Sequence, residues 1–400
     1  MAQAVYSGPF GGRIEKSERL NMNHIHLSNQ KAARILTVVC GLLFFAFSFI
    51  YLYVFQGDVL EALLRSWSDR VVCSPWVVAL LVTVILLILR WGINVLLGLK
   101  GHVRALSYFP SFLLLGVMTD VDYTLYDEGI ASRWAWLLPL VLLVFILVGF
   151  ALRRLCRQWM DAPVDNAAMA TSNLTLFLLL CFLTVGIGNT DIHLHHELAI
   201  ARAVRNHDYP EVRKIGAKVV DPNRAFTALR AYALSAEGTL GEYLFQYPQP
   251  YGAEGLLPDA TGGAILPTSV AALYAHWGEQ PREGEQALPF FRRLYQAHPQ
   301  RSELKEYYLC ALLLHKDLDT FVSLLRESGC HASTLPRHYR EALYLYARMH
   351  PDAGVVVADE ALDQAWKRYE EFQAEYSQVR GEANLMRRKC GETYWWYYQY

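Results

Sequence analysis

Long uncharged runs in the first half of the chain constrain its fold more than any other feature. An α-helix rises 1.5 Å per residue, so about 20 apolar residues cross a hydrocarbon core of roughly 30 Å. A weaker run, Ala105 to Met118, is short for a span but can extend back through Trp91 to Leu99. With it, we predict five spanning helices; the other four runs are Ile35–Gln56, Val71–Leu89, Trp134–Leu152 and Leu174–Ile187.

The overall composition agrees with a membrane protein. Hydrophobic residues make up 53% of the chain and charged residues 19%, against about 25% charged residues in an ordinary soluble protein. The 37 Lys and Arg residues almost balance the 38 Asp and Glu residues. No basic excess exists to neutralise phosphates, which argues against nucleic acid as a partner. The lipid bilayer is the partner that the composition predicts.

The distribution of Lys and Arg predicts the orientation, because these residues accumulate in cytoplasmic loops. With residues 1–34 as a cytoplasmic segment and five spans within residues 35–189, eleven basic residues face the cytoplasm and three face outward. An odd number of crossings then exports residues 190–400. Arg90 is expected to end the second helix at the cytoplasmic interface. The inner residues are Arg13, Lys16, Arg19, Lys31, Arg34, Arg90, Lys100, Arg104, Arg153, Arg154 and Arg157, and the outer ones are Arg65, Arg70 and Arg133.

The exported region is predicted to be helical, so the whole chain is expected to be all-α. Few β-branched runs alternate with period two, and turn signals separate segments rich in Ala, Leu, Tyr and charged residues. The turns near positions 207, 238, 278 and 316 are spaced as in a solenoid of helix pairs. The predicted helices are 195–206, 210–219, 223–236, 240–247, 267–277, 287–297, 302–314, 319–327, 335–349 and 362–376, followed by the aromatic tail.

The segment RAFTALRAYALSAEGTLGEYLFQYP resembles a degenerate tetratricopeptide unit, in which Leu229, Tyr232 and Ala233 line the first helix and Gly238 forms the turn. The resemblance implies an α-solenoid-like domain. The whole layout also resembles an uncharacterised bacterial family of membrane proteins, with several spans, a GTLGEYLFQYPQ-like segment and a final TYWWYYQY-like run. That resemblance implies an architecture and no activity.

Two segments are candidates for partner contact. Residues 248–267 are rich in Gly and Pro and are interpreted as a surface loop or as a binding loop on the domain's working face. The tail, residues 394–400, contains six aromatic residues and is expected to be buried against its own last repeat, in the membrane interface or on a partner. The predicted partner-binding residues are Tyr232, Tyr243, Phe245, Tyr247, Tyr251, Trp395, Trp396 and Tyr398.

A metal site is a second hypothesis. His193, His196 and Glu197 share one face of a helix by their spacing, and imidazole with carboxylate suits zinc or a similar ion. Asp120 and Asp122 lie on the same side of the membrane in the predicted topology and could add oxygen ligands. This outer loop makes the chain similar in outline to multi-spanning membrane glycosyltransferases. Solvated side chains at an interfacial turn are the alternative interpretation.

The function predicted from these features is an inner-membrane scaffold or adaptor without a cofactor. It would present a periplasmic helical-repeat domain to an envelope protein or peptide. No N-x-S/T sequon follows residue 190, which favours a bacterial periplasm. The alternative is an envelope enzyme acting on a lipid-linked or glycan substrate. The pathway, the ligand, the oligomeric state and a Cys310–Cys330 disulfide are left open by the sequence, as is the state of Cys390.

Overall fold

A computed structural model describes residues 11–67, 74–123, 133–155, 165–259, 267–329, 334–377 and 379–400, with side chains from residue 31 onward. The chain divides into two compact units, Met1–Thr190 and Asp191–Tyr400. Throughout these ranges the regular elements are helices and no strand occurs. The all-α prediction is therefore confirmed.

In its described residues the first unit contains six α-helices and two helical segments of other types. A π-helical turn, Tyr51–Phe55, continues α1, and a 3₁₀ helix, Gly101–Tyr108, leads directly into α4. The α-helices are α1 (Gly11–Ile50), α2 (Gly57–Trp67), α3 (Pro75–Leu97), α4 (Phe109–Thr119), α5 (Trp134–Leu155) and α6 (Asn166–Ile187). Within the described residues, four stretches are long and apolar enough to cross a membrane, namely Lys31–Phe55, Pro75–Leu97, Trp134–Leu155 and Asn166–Ile187.

The end of the second predicted span needs correction. We expected this helix to end at Arg90, but α3 continues to Leu97 and stops at Gly98, whose φ of +59° is left-handed. The Arg90 guanidinium lies 4.6 Å from the centre of the Tyr108 ring, so its charge is accommodated inside the unit without breaking the helix. Residues 91–97 therefore extend α3 and not the third segment.

The third segment, Gly101–Thr119, lies along α6 in a parallel direction. Asn173 accepts a hydrogen bond from the Ala105 N–H at 2.7 Å and donates one to the Gly101 carbonyl at 2.8 Å. Further along, Thr184 donates to the Phe112 carbonyl at 3.0 Å. Later residues of the segment therefore contact later residues of α6, as expected for two parallel helices. Each polar atom of Asn173 thus compensates a backbone group of the 3₁₀ helix.

The same segment is parallel to α1 and antiparallel to α3 and α5. Arg104 reaches the Ala33 carbonyl at the start of the α1 span, and Thr119 reaches the Tyr51 hydroxyl at its end. Contacts to α3 and α5 run in the opposite order along the segment. On α3, Leu86 contacts Ser111 and Arg90 contacts Tyr108. On α5, Phe145 contacts Phe109 and Trp134 contacts Asp120. Five helical segments therefore alternate in direction.

The second unit contains twelve described α-helices around a common core. Most predicted helices are present, and three keep the predicted bounds. The 382–390 helix was not predicted. The helices are α7 (Ile192–Arg205), α8 (Tyr209–Lys214), α9 (Arg224–Glu237), α10 (Leu240–Tyr243), α11 (Pro267–Trp277), α12 (Ala287–Ala297), α13 (Ser302–Leu314), α14 (Leu318–Glu327), α15 (Arg337–Met349), α16 (Glu360–Tyr376), α17 (Glu382–Cys390) and α18 (Tyr394–Gln399).

Contacts between distant helices distinguish this unit from a simple row of repeats. The Arg337 N–H donates to Glu242 at 2.6 Å, across 95 positions of sequence. At Gly241, an added Cβ would lie 2.8 Å from the Tyr339 ring, so α10 packs directly on α15 only because this residue has no side chain. In an open solenoid each repeat contacts its neighbours. The helical class is confirmed, and the tetratricopeptide-like arrangement is not.

The segment after residue 247 also departs from the surface-loop interpretation. Gly252–Leu256 forms a 3₁₀ helix, and Leu256 and Leu257 are buried in the core. Arg224 donates to the carbonyls of Glu254 and Leu257 at 2.8 and 2.9 Å. These bonds satisfy backbone carbonyls that a buried loop would otherwise leave unpaired. Residues 260–266 of the predicted loop lie outside the described residues.

The aromatic tail packs against its own unit, which was the first of its three predicted environments. Tyr394 and Trp395 are buried. The Trp395 indole N–H donates to the Glu341 carbonyl at 2.8 Å, and the Tyr394 backbone N–H donates to the Glu341 carboxylate at 2.7 Å. The Tyr394 hydroxyl donates to the Leu313 carbonyl at 3.1 Å. The tail thus joins α13 and α15.

Removing the Trp395 side chain should destabilise the second unit strongly. Truncating a fully buried Trp to Ala costs about 3–5 kcal/mol, and the Glu341 carbonyl would also lose its donor. We expect Trp395→Ala to lower the melting temperature of the detergent-purified chain by roughly 10 °C. The matched control is Tyr400→Ala, because Tyr400 is exposed at the end of the same helix. Equal melting temperatures for the two variants would contradict a structural role of the tail.

Candidate functional site

A cleft in the second unit lies where three helix ends meet. It has a volume of about 540 Å³, within the range of small-ligand sites. The last turn of α9, the last turn of α11 and the first turn of α13 supply its walls. The lining residues are Ser235, Ala236, Glu237, Gly238, His276, Ser302, Glu303 and Glu306.

Two local features fix these helix ends. Gly238, with a φ of +72°, ends α9 in the left-handed conformation, and its N–H donates to the carbonyls of Leu234 and Ser235. Arg301 donates to the carbonyls of His276 and Trp277 at 2.7 and 2.9 Å. A cation at this position also complements the negative end of the α11 dipole. The chain therefore holds both helix termini at the edge of the cleft.

Three carboxylates line the cleft, and each has a protein donor. Glu306 accepts a hydrogen bond from the Gly241 N–H at 2.9 Å. Glu303 pairs with Arg301 at 2.7 Å. Glu237 accepts from the Thr239 hydroxyl at 3.0 Å. These contacts hold the carboxylates in place while the surface facing the cleft stays acidic.

Burial adjusts the charges in the cleft. It raises the pKa of Glu306. It also lowers the pKa of His276, and the nearby positive charge of Arg301 lowers it further. His276 therefore stays neutral at neutral pH, where its Nε2 lies 3.2 Å from the Ser235 hydroxyl. The three carboxylates outnumber the two arginines that pair with them, Arg213 with Glu237 at 3.7 Å and Arg301 with Glu303 at 2.7 Å, so the described lining favours a cationic group.

The predicted partner-binding residues occupy different environments. Tyr232 borders the cleft, since its ring lies edge-on to His276 with centroids 4.9 Å apart. Tyr243 lies under the Arg213 guanidinium at 4.8 Å. The side chains of Phe245, Tyr247 and Trp395 are in the core, those of Trp396 and Tyr398 are half-buried, and that of Tyr251 is exposed.

The residues proposed as metal ligands are also located. His193, His196 and Glu197 lie on α7, where Glu197 is buried and the His196 ring stacks on Phe226 at 5.1 Å. In the first unit, Asp120 accepts hydrogen bonds from Arg133 and Trp134. Asp122 is exposed. In the described part of the chain, no three His, Cys, Asp or Glu side chains are grouped closely enough to hold a metal ion.

The cysteines of the second unit are described in part. Cys310 carries a free, buried thiol whose sulfur lies 3.4 Å from the Tyr339 hydroxyl. Cys390 is also free. Cys330, its predicted partner, lies outside the described residues.

Sequence reasoning missed the polar residues of the cleft. Glu237 was predicted at a break between helices, and His276 and Glu303 were predicted near the ends of the helices 267–277 and 302–314, with no functional role. These residues come together only through the packing of α9, α11 and α13. The hydrophobic periodicity of the sequence does not predict that packing. The available signal was the concentration of Glu, His and Ser at three helix ends.

Comparisons with known proteins were made for the whole chain. A family model described as a family of unknown function (DUF6057) matches residues 126–281 and 282–400. These two segments together span well over half of the chain. No curated protein and no solved structure matches the chain.

His338, which packs edge-on against Phe245, should make the second unit sensitive to acid. Burial, with a contribution from Arg337, lowers the pKa of His338 to about 3. The unfolded state therefore binds a proton near the ordinary pKa of about 6.5, and the folded state does so only near 3. The stability that depends on neutral His338 is present above pH 6.5 and is lost as the pH falls toward 3.

We expect about 2 kcal/mol of this loss between pH 7 and pH 5. The measurement is the free energy of unfolding of the wild type and of His338→Gln at both pH values. Between pH 7 and pH 5 the variant should lose about 2 kcal/mol less stability than the wild type. His315→Gln, at an exposed position, should keep the wild-type dependence. If the stability of His338→Gln fell with pH as steeply as that of the wild type, His338 would not be the source of the acid sensitivity.

Proposed function

The chain belongs to the family of unknown function DUF6057, and from this premise we propose that it is an integral membrane scaffold or adaptor. Its helical second unit would face the periplasm and bind a protein or peptide of the cell envelope. The N-terminal segment would lie in the cytoplasm. The cleft of the second unit is the observation that carries the binding role.

The alternating directions of the first unit support five crossings. Gly101–Thr119 follows α6 from its first third to its end, so it would accompany α6 through most of a membrane that α6 crosses. The 3₁₀ helix rises about 2 Å per residue and α4 rises about 1.5 Å per residue, which gives the 19 residues a length of about 32 Å. Five crossings would leave the two ends of the unit on opposite sides.

Charge segregation supports the orientation. Among residues with described side chains, the end of the unit where the α1 span begins at Lys31 carries six basic residues and one acidic residue, and the opposite end carries four acidic and two basic residues. The positive-inside rule assigns the basic end to the cytoplasm. The first set is Lys31, Arg34, Lys100, Arg104, Arg153, Arg154 and Asp165, and the second is Asp58, Glu61, Arg65, Asp120, Asp122 and Arg133.

The chemistry of the cleft indicates the class of partner. Its three carboxylates favour a Lys or Arg side chain of an extended or loop peptide. Such complementarity mainly sets specificity and the rate of association. A basic peptide segment of an envelope protein is therefore the proposed ligand.

Reporter fusions test the topology. Alkaline phosphatase, active only after export, should be active when fused after Asp122 or Asp208 and inactive when fused after Lys100 or Arg154. Four crossings, without Gly101–Thr119, would instead give activity after Arg154 and none after Asp122 or Asp208. That result would contradict a periplasmic second unit, as would an inactive fusion after Asp208 in any pattern.

Peptide binding tests the cleft. The detergent-purified chain should bind a Lys-rich peptide and not a Glu-rich peptide of the same length, with affinity falling as salt rises. Glu303→Gln should weaken binding about tenfold, corresponding to about 1.4 kcal/mol. The control is Glu371→Gln, an exposed position on α16. Equal affinity for both peptides, or an unchanged affinity in Glu303→Gln, would contradict the proposal.

A further inference from the structure

Two arginines lie inside the first unit close to one another. Arg90 is on α3, and Arg104 is on the 3₁₀ helix that precedes α4. Both are half-buried, and they are near enough for their like charges to repel. Within the described residues their observed partners are the Tyr108 ring for Arg90 and the Ala33 carbonyl for Arg104. Neither partner neutralises a positive charge.

Three polar atoms in this layer are shielded from solvent and have no hydrogen-bond partner among the described residues. They are the Nε atoms of Arg90 and Arg104 and the hydroxyl oxygen of Tyr108. The Tyr108 side chain is 1% exposed. Leaving a buried donor unsatisfied costs about 1–3 kcal/mol, and more for a charged group. Such a set of donors in one layer indicates a site for an anion.

The depth of the site indicates which anion. Ala33, the acceptor for Arg104, is near the start of the α1 span, and Gly41, which faces the Tyr108 hydroxyl, is eight residues further along. The layer therefore extends from the interface to about 12 Å along α1. It lies at the basic end of the unit, which we assign to the cytoplasm. Lipid phosphates occupy the outer part of this layer.

We propose that Arg90, Arg104 and Tyr108 bind the phosphate of an anionic phospholipid between α1, α3 and the 3₁₀ helix. Guanidinium groups pair with phosphate oxygens in a bidentate manner, and the Tyr108 hydroxyl is a further donor. A bound phosphate compensates two like charges that are otherwise costly at this depth. The inference rests on the membrane embedding proposed above, but not on the peptide cleft.

The test uses the full chain purified in a neutral detergent and stripped of lipid. We expect phosphatidylglycerol to raise the melting temperature and to remain bound in native mass spectrometry, while phosphatidylcholine does neither. Arg90→Gln and Arg104→Gln should each weaken phosphatidylglycerol binding at least tenfold, and Arg90→Lys should weaken it less. The control is Arg154→Gln, because Arg154 is an exposed arginine at the same end of the unit.

Within the described residues the Arg90 side chain makes no hydrogen bond to the backbone, so its variant separates binding from folding more cleanly than the Arg104 variant. Inorganic phosphate that binds as tightly and displaces the lipid would assign the site to a soluble phosphate and overturn the lipid source. Equal binding of both lipids, or unchanged binding in Arg90→Gln, would overturn the site itself. The reporter fusions separate this outcome from a failure of the membrane topology.

Discussion

The hydrogen bonds between α6 and Gly101–Thr119 are the constraint on which the rest of the architecture depends. An 11-residue apolar α-helix is too short to cross a bilayer, and a 3₁₀ segment in lipid needs its backbone groups satisfied. Asn173 serves both the Ala105 N–H and the Gly101 carbonyl, and Thr184 reaches the Phe112 carbonyl. These contacts align a composite helix with α6 over most of its length. The proposed number of crossings rests on that alignment.

In the second unit, Glu341 has an equivalent role. It is 2% exposed, it pairs with Arg337 at 2.8 Å, and its carboxylate accepts the backbone N–H of Tyr394. Burial raises the pKa of this carboxyl. A buried carboxylate is retained without a large penalty only where donors surround it. The tail supplies one of them, so the last residues complete the core instead of extending a row of repeats.

How far the sequence predicts this chain differs between the two units. The helix bounds were accessible because Pro, Gly and Asp mark them locally: Asp317 caps α14, and Gly238 ends α9. The apolar runs were equally clear. The continuation of α3 past Arg90 was not, because a charged residue ends the apolar run of the sequence without ending the helix. The cleft was missed for a related reason. Its carboxylates belong to helices whose packing is set by contacts far apart in sequence, such as Gly241 against Tyr339.

The two proposed sites differ in how the protein treats their charges, and this difference bears on affinity. In the cleft, Glu306, Glu303 and Glu237 already accept hydrogen bonds from the protein, so a cationic ligand adds to satisfied groups and gains only a fraction of the ion-pair energy. Weak, salt-sensitive and rapidly reversible binding is the expected result, and it suits an adaptor that exchanges partners. At Arg90 and Arg104 the charges lack a carboxylate in the described residues and lie deeper in the unit, where the dielectric is low. A phosphate there would meet charges that lack a carboxylate partner, so it would gain more electrostatic energy and exchange more slowly, as expected of a structural lipid.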